Sequence, residues 1–479
     1  MPHAPSLPLH KATLLAALLA PVSAFAGQFE FTDAGPYEYT DAGNWVGDVI
    51  GNNWTSSLTA DQVITFDEDY LTVDPDGGGS ATATISINNT SLFNHTFIGG
   101  GANRTLTLGG SISLASNSTN SNTNKVTFGS ATDGQRLNID LGSATRSISV
   151  GTNRTLEIVN VISSNSGSYG MTKIGAGTLK LTNTANTFTG NVSIGGGSPS
   201  QFGGVLEITQ VADSGTASSI GQGNRITFGG ATAASTLRYV GTGDSTNRAV
   251  TVGGIGATIE SSGTGALKFT STGNVDTSPS TGSRAITLGG TNTDDNTFSL
   301  NLNDQGSGKL SIVKQDSGRW ILAGANTYTG DTIIDSGTLE LGAADRIGDS
   351  SNLVLNGGTF ATGGFSETFA TLDVNANATI DFGSGDSDLV FADSSAVAWG
   401  ASISLSIVNF TEGVDSIRFG TDEDGLNVLT QLAKITINGS AASIDELGYL
   451  STVPEPSAYA AVAGVAALFF TLRRRSRDS

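Results

Sequence analysis

The sequence predicts an all-β solenoid, and three observations carry the prediction: a composition of turn formers, apolar residues that alternate in short runs, and an internal repeat. Of 479 residues, 64 are glycine and 2 are methionine, and charged residues make up only 14%. That mixture is poor for helices and suits short strands between frequent turns. Hydrophobic residues reach 37% and come in thin alternating runs such as Thr105-Leu106-Thr107-Leu108, with a period of two. Strands this narrow bury enough apolar surface only if many coils share one core, and a solenoid's length is not capped by a single globular core. There is no cysteine, which excludes disulfides, Cys-ligated zinc and Cys nucleophiles and fits a chain that crosses an oxidising compartment.

The repeat lies in the middle of the chain. Gly177-Thr178-Leu179-Lys180-Leu181-Thr182 is followed by Ala185-Asn186-Thr187-Phe188-Thr189-Gly190. Gly318-Arg319-Trp320-Ile321-Leu322-Ala323 is likewise followed by Ala325-Asn326-Thr327-Tyr328-Thr329-Gly330. The extra residue in the first copy falls at the polar, turn-like Asn183 and Thr184. Gly204-Val205-Leu206-Glu207-Ile208 then answers Gly337-Thr338-Leu339-Glu340-Leu341, and both copies run on through Ile220-Gly221 or Ile347-Gly348 to a Gly-Gly pair. Two units therefore begin near Met171 and Ile312.

Within each unit the alternation assigns sides. Leu339 and Leu341, like Leu179 and Leu181, face inward, while Thr338 and Glu340 face solvent. Gly337 and Gly342 bracket the strand as turn residues. Asn326 and Tyr328, with Asn186 and Phe188, are placed to stack on their equivalents in adjacent coils, through side-chain hydrogen-bond ladders and ring contacts. The pattern Gly-Thr-Leu-x-Leu with Ala-Asn-Thr-aromatic-Thr-Gly resembles the autotransporter-associated β-strand repeat, closely at 312–342 and more loosely at 171–209. The resemblance implies a right-handed parallel β-helix in a bacterial surface protein. The C-terminal region has no series of roughly ten-residue amphipathic strands of the kind that forms a membrane barrel, so self-secretion is not expected.

A second recurring element is an arginine before an alternating strand and a glycine, at Arg104, Arg146, Arg248 and Arg284. With coils of roughly 20 to 25 residues, these arginines are expected near the starts of related strands, where salt bridging within a coil or strand entry outranks a binding stripe.

Both ends carry targeting signals. Lys11, the apolar run 12–19 and the small residues Ala24 and Ala26 form a secretory signal cleaved after Ala26. At the other end an apolar run, 457–472, is followed by Arg473, Arg474, Arg475 and Arg477. Arginines cost roughly 2.5 to 3.5 kcal/mol each at a bilayer centre, so they form a cytoplasmic stop. The run is shorter than the ~20 residues of a comfortable transmembrane helix. Ahead of it stand Val453, Pro454, Glu455 and Pro456, whose two prolines hold the backbone extended. This tail resembles the PEP-CTERM sorting signal, which implies recognition and removal by an exosortase-type membrane enzyme, with the inner membrane holding the chain transiently.

The chain thus divides into a signal peptide (1–26), an N-terminal cap (27–76) containing Trp45 and Trp54, a parallel β-helix (77–398), a C-terminal cap (399–452) and the sorting tail with its transmembrane helix (453–479). Caps shield the terminal coils of a solenoid from open-ended strand pairing. The segment 399–448 also resembles the closing segment that precedes this sorting tail in related surface proteins.

Charge and residue inventory narrow the function. The chain carries 23 Lys and Arg against 43 Asp and Glu, a net charge of −20, and both end segments are basic, so the part between is more acidic still. Nucleic-acid binding is disfavoured because it relies on basic residues against phosphates. Of three histidines, His3 and His10 leave with the signal, and His95 in Asn94-His95-Thr96 has no nucleophile motif beside it. The acid clusters Asp67-Glu68-Asp69 with Asp74 and Asp76, Asp294-Asp295, Asp386 with Asp388, and Asp422-Glu423-Asp424 match neither the Asp-x-Asp-x-Asp-Gly loop nor the Gly-Gly-x-Gly-x-Asp nonapeptide. Glycine runs such as Gly99-Gly100-Gly101 lack the helix and Lys-Ser/Thr of a phosphate loop. No catalytic, cofactor or metal residue is assigned. The expectation is a non-enzymatic protein of the cell surface or extracellular matrix, structural or adhesive, with extracellular polysaccharide as a candidate partner. The alternative is a β-helix polysaccharide lyase or glycosidase, which needs two acids suitably separated in one cleft.

Overall fold

The computed structural model describes residues 28–31, 53–56, 62–66, 85–87, 95–99 and 103–453, with short gaps at 109, 115, 117–123, 165–166, 197–202, 230–234 and 279–281. The two targeting segments lie outside the described residues, apart from Val453. Among the described residues there is no α-helix, and no helix is long and apolar enough to cross a membrane.

The strands wind as coils and stack in parallel on three faces. The second face is a 13-stranded sheet running from Gln62–Phe66 to Leu372–Val374. The first face is an eight-stranded sheet ending at Asp276–Ser278 and, later in the chain, a three-stranded one beginning at Glu367–Phe369. The third face is a three-stranded sheet ending at Ile162–Ser163 and then an 11-stranded sheet beginning at Thr242–Thr246. Within the long parallel sheets each inner strand pairs with strands one coil before and one coil after, so this pairing is non-local. The parallel register runs through Ile435–Ile437 and reverses only in Ser440–Ile444 and Leu450–Thr452, which close the sheet as an antiparallel meander.

Alternation sets the interior. Thr338–Leu341 and Thr178–Leu181 both show outward, inward, outward, inward, and Leu179, Leu181, Leu339 and Leu341 are buried as the period of two requires. Because parallel coils stack in register, an inward position repeats along the axis and like side chains meet. Phe369, Phe391 and Phe419 form one such stack, with ring centroids 5.2 and 4.9 Å apart and planes within 10°.

Turn glycines are required where neighbouring coils crowd the backbone. Gly204 and Gly337 occupy the same place in the two repeat units, with φ of +54° and +68°, and a Cβ on either would sit 2.3 to 2.5 Å from carbonyl oxygens of the preceding coil. Both the conformation and the space exclude a side chain.

Candidate functional surface

Several polar side chains of the repeat units, Asn186 and Asn326 among them, point inward and stitch coils together. Where a face has no regular strand, an asparagine carries the ladder. The peptide N–H of Ile162 donates to Asn186 Oδ1 (2.8 Å), and Asn186 Nδ2 donates to the carbonyl of Ser219 (2.8 Å). In the second unit Leu302 N–H donates to Asn326 Oδ1 (2.8 Å) and Asn326 Nδ2 to the carbonyl of Arg346 (2.6 Å). The amide side chain stands in for a peptide group between the coil before and the coil after. The expected stacking of each asparagine on its equivalent is thereby corrected, since the partners are backbone groups. The aromatic positions differ as well: Tyr328 hydroxyl bonds to Thr332 Oγ1 (2.7 Å), and the Phe188 ring lies against Gly221, whose added Cβ would meet it at 2.7 Å. Ring stacking occurs instead within the strands.

The two units are also rotated relative to each other. Met171–Ile174 lies in the first face and Thr178–Leu181 in the second, whereas Leu310–Lys314 lies in the second and Arg319–Leu322 in the third. The asparagine segment therefore bridges the gap in the third face in one unit and in the first face in the other.

A buried lysine recurs in both units. Lys173 Nζ donates to the carbonyls of Ile174 (3.1 Å), Gly175 (2.7 Å) and Gly203 (3.0 Å). Lys314 Nζ donates to those of Gln315 (2.6 Å), Asp316 (2.8 Å) and Ser336 (3.1 Å). Three acceptors match the three donors of an ammonium group, and the third acceptor belongs to the next coil, so each lysine closes two turns at once. Burial pulls Lys173 down to about 7 and Lys314 down to about 8. Neither was singled out from the sequence. Both stand two residues after an inward apolar residue, Met171 and Ile312, and that parity was the available signal.

The same parity governs the arginines. Arg248 is fully buried: its Nε donates to the Ala212 carbonyl (3.0 Å), Nη1 to that of Ile220 (3.1 Å) and Nη2 to that of Gly221. Arg146 is buried and donates to the carbonyls of Leu141 and Leu108. Arg284 is buried and donates to the Gly282 carbonyl (3.1 Å). Arg146 and Arg284 open their strands and Arg248 stands one residue before Ala249–Gly253, as strand-entry residues do, and all three turn into the solenoid and bind turn carbonyls, away from any exposed stripe.

Glu367 is the most deeply buried acid among the described residues, 1% exposed, at the start of Glu367–Phe369. Its carboxylate accepts from the N–H groups of Arg346 (2.7 Å), Ile347 (3.0 Å) and Thr368 (3.1 Å), continuing the ladder that Asn326 begins. Burial outweighs these bonds and raises it from 4.5 to about 7. Between those values the folded state holds a proton that the unfolded chain has released. Its contribution is fully present below pH 4.5 and is lost as pH rises to about 7, worth up to about 3 kcal/mol. Glu367→Gln is therefore expected to raise thermal stability at pH 8 relative to wild type and to narrow the difference at pH 4.5. Parallel melting curves across that window check it, and an unchanged wild-type-minus-variant difference would refute it.

Outward, the faces are flat rows. Glu157, Lys180, Glu207, Arg238 and Glu260 are cross-strand partners on five successive strands. They form an alternating ion-pair ladder, with Lys180 to Glu207 at 3.0 Å and Arg238 to Glu260 at 2.6 Å. Half-exposed pairs like these contribute at most about 1 kcal/mol each. Ser147, Thr172, Ser193, Thr227 and Thr251 align as a hydroxyl row on the first face, and Thr338, Thr359, Thr379, Ser406 and Thr436 on the third.

Four of the acids singled out in the sequence are engaged individually. Asp295 pairs with Arg319, Asp294 accepts from Asn292 Nδ2 (3.3 Å), Asp388 accepts from the Ser416 hydroxyl, and Asp422 caps the N–H of Asp424 (3.1 Å). Among the described residues no three of Asp, Glu and His come together as a metal site. Asp67, Glu68, Asp69, Asp74 and Asp76 lie outside the described residues. So do Ala24, Ala26, Pro454, Glu455, Pro456, Arg473, Arg474, Arg475 and Arg477. His95 begins the strand His95–Gly99. Val453 is 45% exposed and donates its N–H to the Ala441 carbonyl (2.9 Å) at the end of the meander.

Residues 171–198 and 312–341 match the family model described as Passenger-associated-transport-repeat, the same two units that the internal repetition marks. Over 155 residues, 32% of this chain, the sequence is 42% identical to the Adhesin BmaC autotransporter of Brucella suis biovar 1 (strain 1330). That match spans 4% of the relative's length. No solved structure matches the chain significantly.

Proposed function

We propose that this protein is an exported, non-enzymatic surface or extracellular-matrix protein of adhesin type: a stiff acidic rod that works through its outward faces. The observation that carries the reading is the pair of passenger-type repeats, 171–198 and 312–341, together with similarity to an autotransporter adhesin. The outward geometry supports it, because flat rows of hydroxyls and paired charges offer extended contact surfaces. Aligned Ser and Thr rows suit the hydroxyl groups of an extracellular polysaccharide, the proposed partner. A lyase or glycosidase reading gains no observation from the acids described above, of which Asp294, Asp295, Asp388 and Asp422 hold intramolecular partners. Right-handed winding, as the repeat resemblance implies, and the capping roles of 27–76 and 399–452 belong to this proposal.

The tail completes it. An extended Pro454-Glu455-Pro456 segment ahead of a short apolar run and an arginine stop presents a cleavable segment at the membrane surface, to an exosortase-type enzyme. Replacing Pro454, Glu455 and Pro456 with alanine is expected to leave insertion intact and to trap full-length protein in the inner membrane. Mass spectrometry of the mature C-terminus in cells with the sorting enzyme tests this. An intact tail on wild-type protein outside the inner membrane would reduce the tail to a plain anchor.

A further inference from the structure

Among the described residues eight large hydrophobic side chains are exposed, and six of them, Val414, Val428, Leu429, Leu447, Tyr449 and Val453, lie in the last 40 described positions. Scattered exposed apolar residues are normal, but concentration at one end of a rod marks an interaction site. Four of them are brought together by the closing meander. Thr452 donates its N–H (2.8 Å) and its hydroxyl (2.7 Å) to Glu412, which draws the loop carrying Val414 beside the last strand. The Arg418 guanidinium stands 5.7 Å from the Tyr449 ring centroid, and Tyr449 and Leu447 share the turn held by Asp445.

Chain length says what covers this rim. Only three residues separate Val453 from the apolar run that begins at Ser457. Fully extended, that connection reaches roughly 14 Å. If the run enters a bilayer, the end of the solenoid cannot stand far above the surface. The exposed acids around the rim, Glu412, Asp445 and Glu446, oppose an end-to-end pairing with a second copy, which would set like charges together, and they oppose anionic lipid for the same reason.

We propose that Val414, Leu447, Tyr449 and Val453 form a foot that rests on the outer surface of a zwitterionic bilayer, at the boundary of headgroups and acyl chains, while the tail is inserted. Leu and Val supply apolar area and Tyr sits at headgroup level, as interfacial residues do. The foot rests on the reading of the tail given above. It orients the rod and holds the Pro454-Glu455-Pro456 segment at the surface.

The absence of cysteine makes the test direct. The full chain is prepared as Leu447→Cys, Ala466→Cys and the remote control Thr272→Cys, each labelled with an environment-sensitive fluorophore and reconstituted in phosphatidylcholine vesicles containing a headgroup-level lipid quencher for positions 447 and 272 or an acyl-chain quencher for position 466. The label at position 447 is expected to be quenched roughly threefold or more relative to that at 272, with a smaller ratio in phosphatidylglycerol vesicles. Quenching at 466 without quenching at 447 overturns the foot and leaves the tail reading standing. Quenching at neither position overturns both. Shielding of position 447 from an aqueous quencher when no vesicles are present assigns the cover to the tail itself or to a second copy, and overturns the lipid assignment.

Discussion

Leu339→Asp is expected to destabilise the solenoid by several kcal/mol, while Glu340→Ala, one residue away, changes stability by about 1 kcal/mol or less. Leu339 is fully buried, and its cross-strand partners in the preceding and following coils are Trp320 and Phe360, both fully buried. An aspartate there loses apolar contact with two coils and places a carboxylate beside partners whose one side-chain donor, Trp320 Nε1, is already held by the Gly289 carbonyl (2.9 Å). Glu340 faces outward, and its loss removes only the half-exposed pair with Arg319 at 2.7 Å. Stability in a stacked array is a sum of coil and interface contributions, so the damage should be local before it is global. Hydrogen exchange is expected to show lost protection centred on 319–361, with a lowered melting temperature for the aspartate variant alone. Equal melting temperatures for the two variants would contradict the assignment of inside and outside.

The second large effect is at the buried lysines. Lys314→Ala leaves the carbonyls of Gln315, Asp316 and Ser336 without their shared donor inside the solenoid. An orphaned buried acceptor costs about 1 to 3 kcal/mol. The three together, with the lost packing of the side chain, place the variant about 3 to 5 kcal/mol below wild type. Lys314→Met separates the two contributions, since it restores volume but no donor. It is expected to recover only part of the loss, and Lys173→Met should behave alike because its three acceptors occupy the same places in the earlier unit. Chemical denaturation of the four proteins measures the differences. Full recovery in the methionine variants would mean that the lysines serve as filling and that the carbonyls find other donors.

Much of this architecture was legible in the sequence, for a physical reason. A strand alternates its side chains, so period and parity assign sides without knowledge of the partner strand. That reasoning placed Leu179, Leu181, Leu339 and Leu341 inside, and the similarity of two segments located the units at Met171 and Ile312. Parity even carried the polar interior: Lys173, Lys314, Arg146, Arg248 and Glu367 all stand two residues from an inward apolar side chain. Lys173, Lys314 and Glu367 escaped notice, and the inward turn of Arg146 and Arg248 was not foreseen, because a charged residue at an inward position is normally too costly, and only a cage of carbonyls or amide N–H groups from two coils makes it tolerable.

Sequence pattern alone, then, specifies the class of the fold, the repeat units and the side on which the apolar residues of those units lie. The tertiary structure decided which face each unit occupies and what the polar side chains bind. Two units of similar sequence are offset by one face because the number of strands per coil changes along the chain, and no local pattern records that accumulated rotation. Asn186 and Asn326 bridge backbone groups in coils some 20 to 33 positions away in sequence. Such partners are chosen by stacking of the coils, which exists only once the chain has wound.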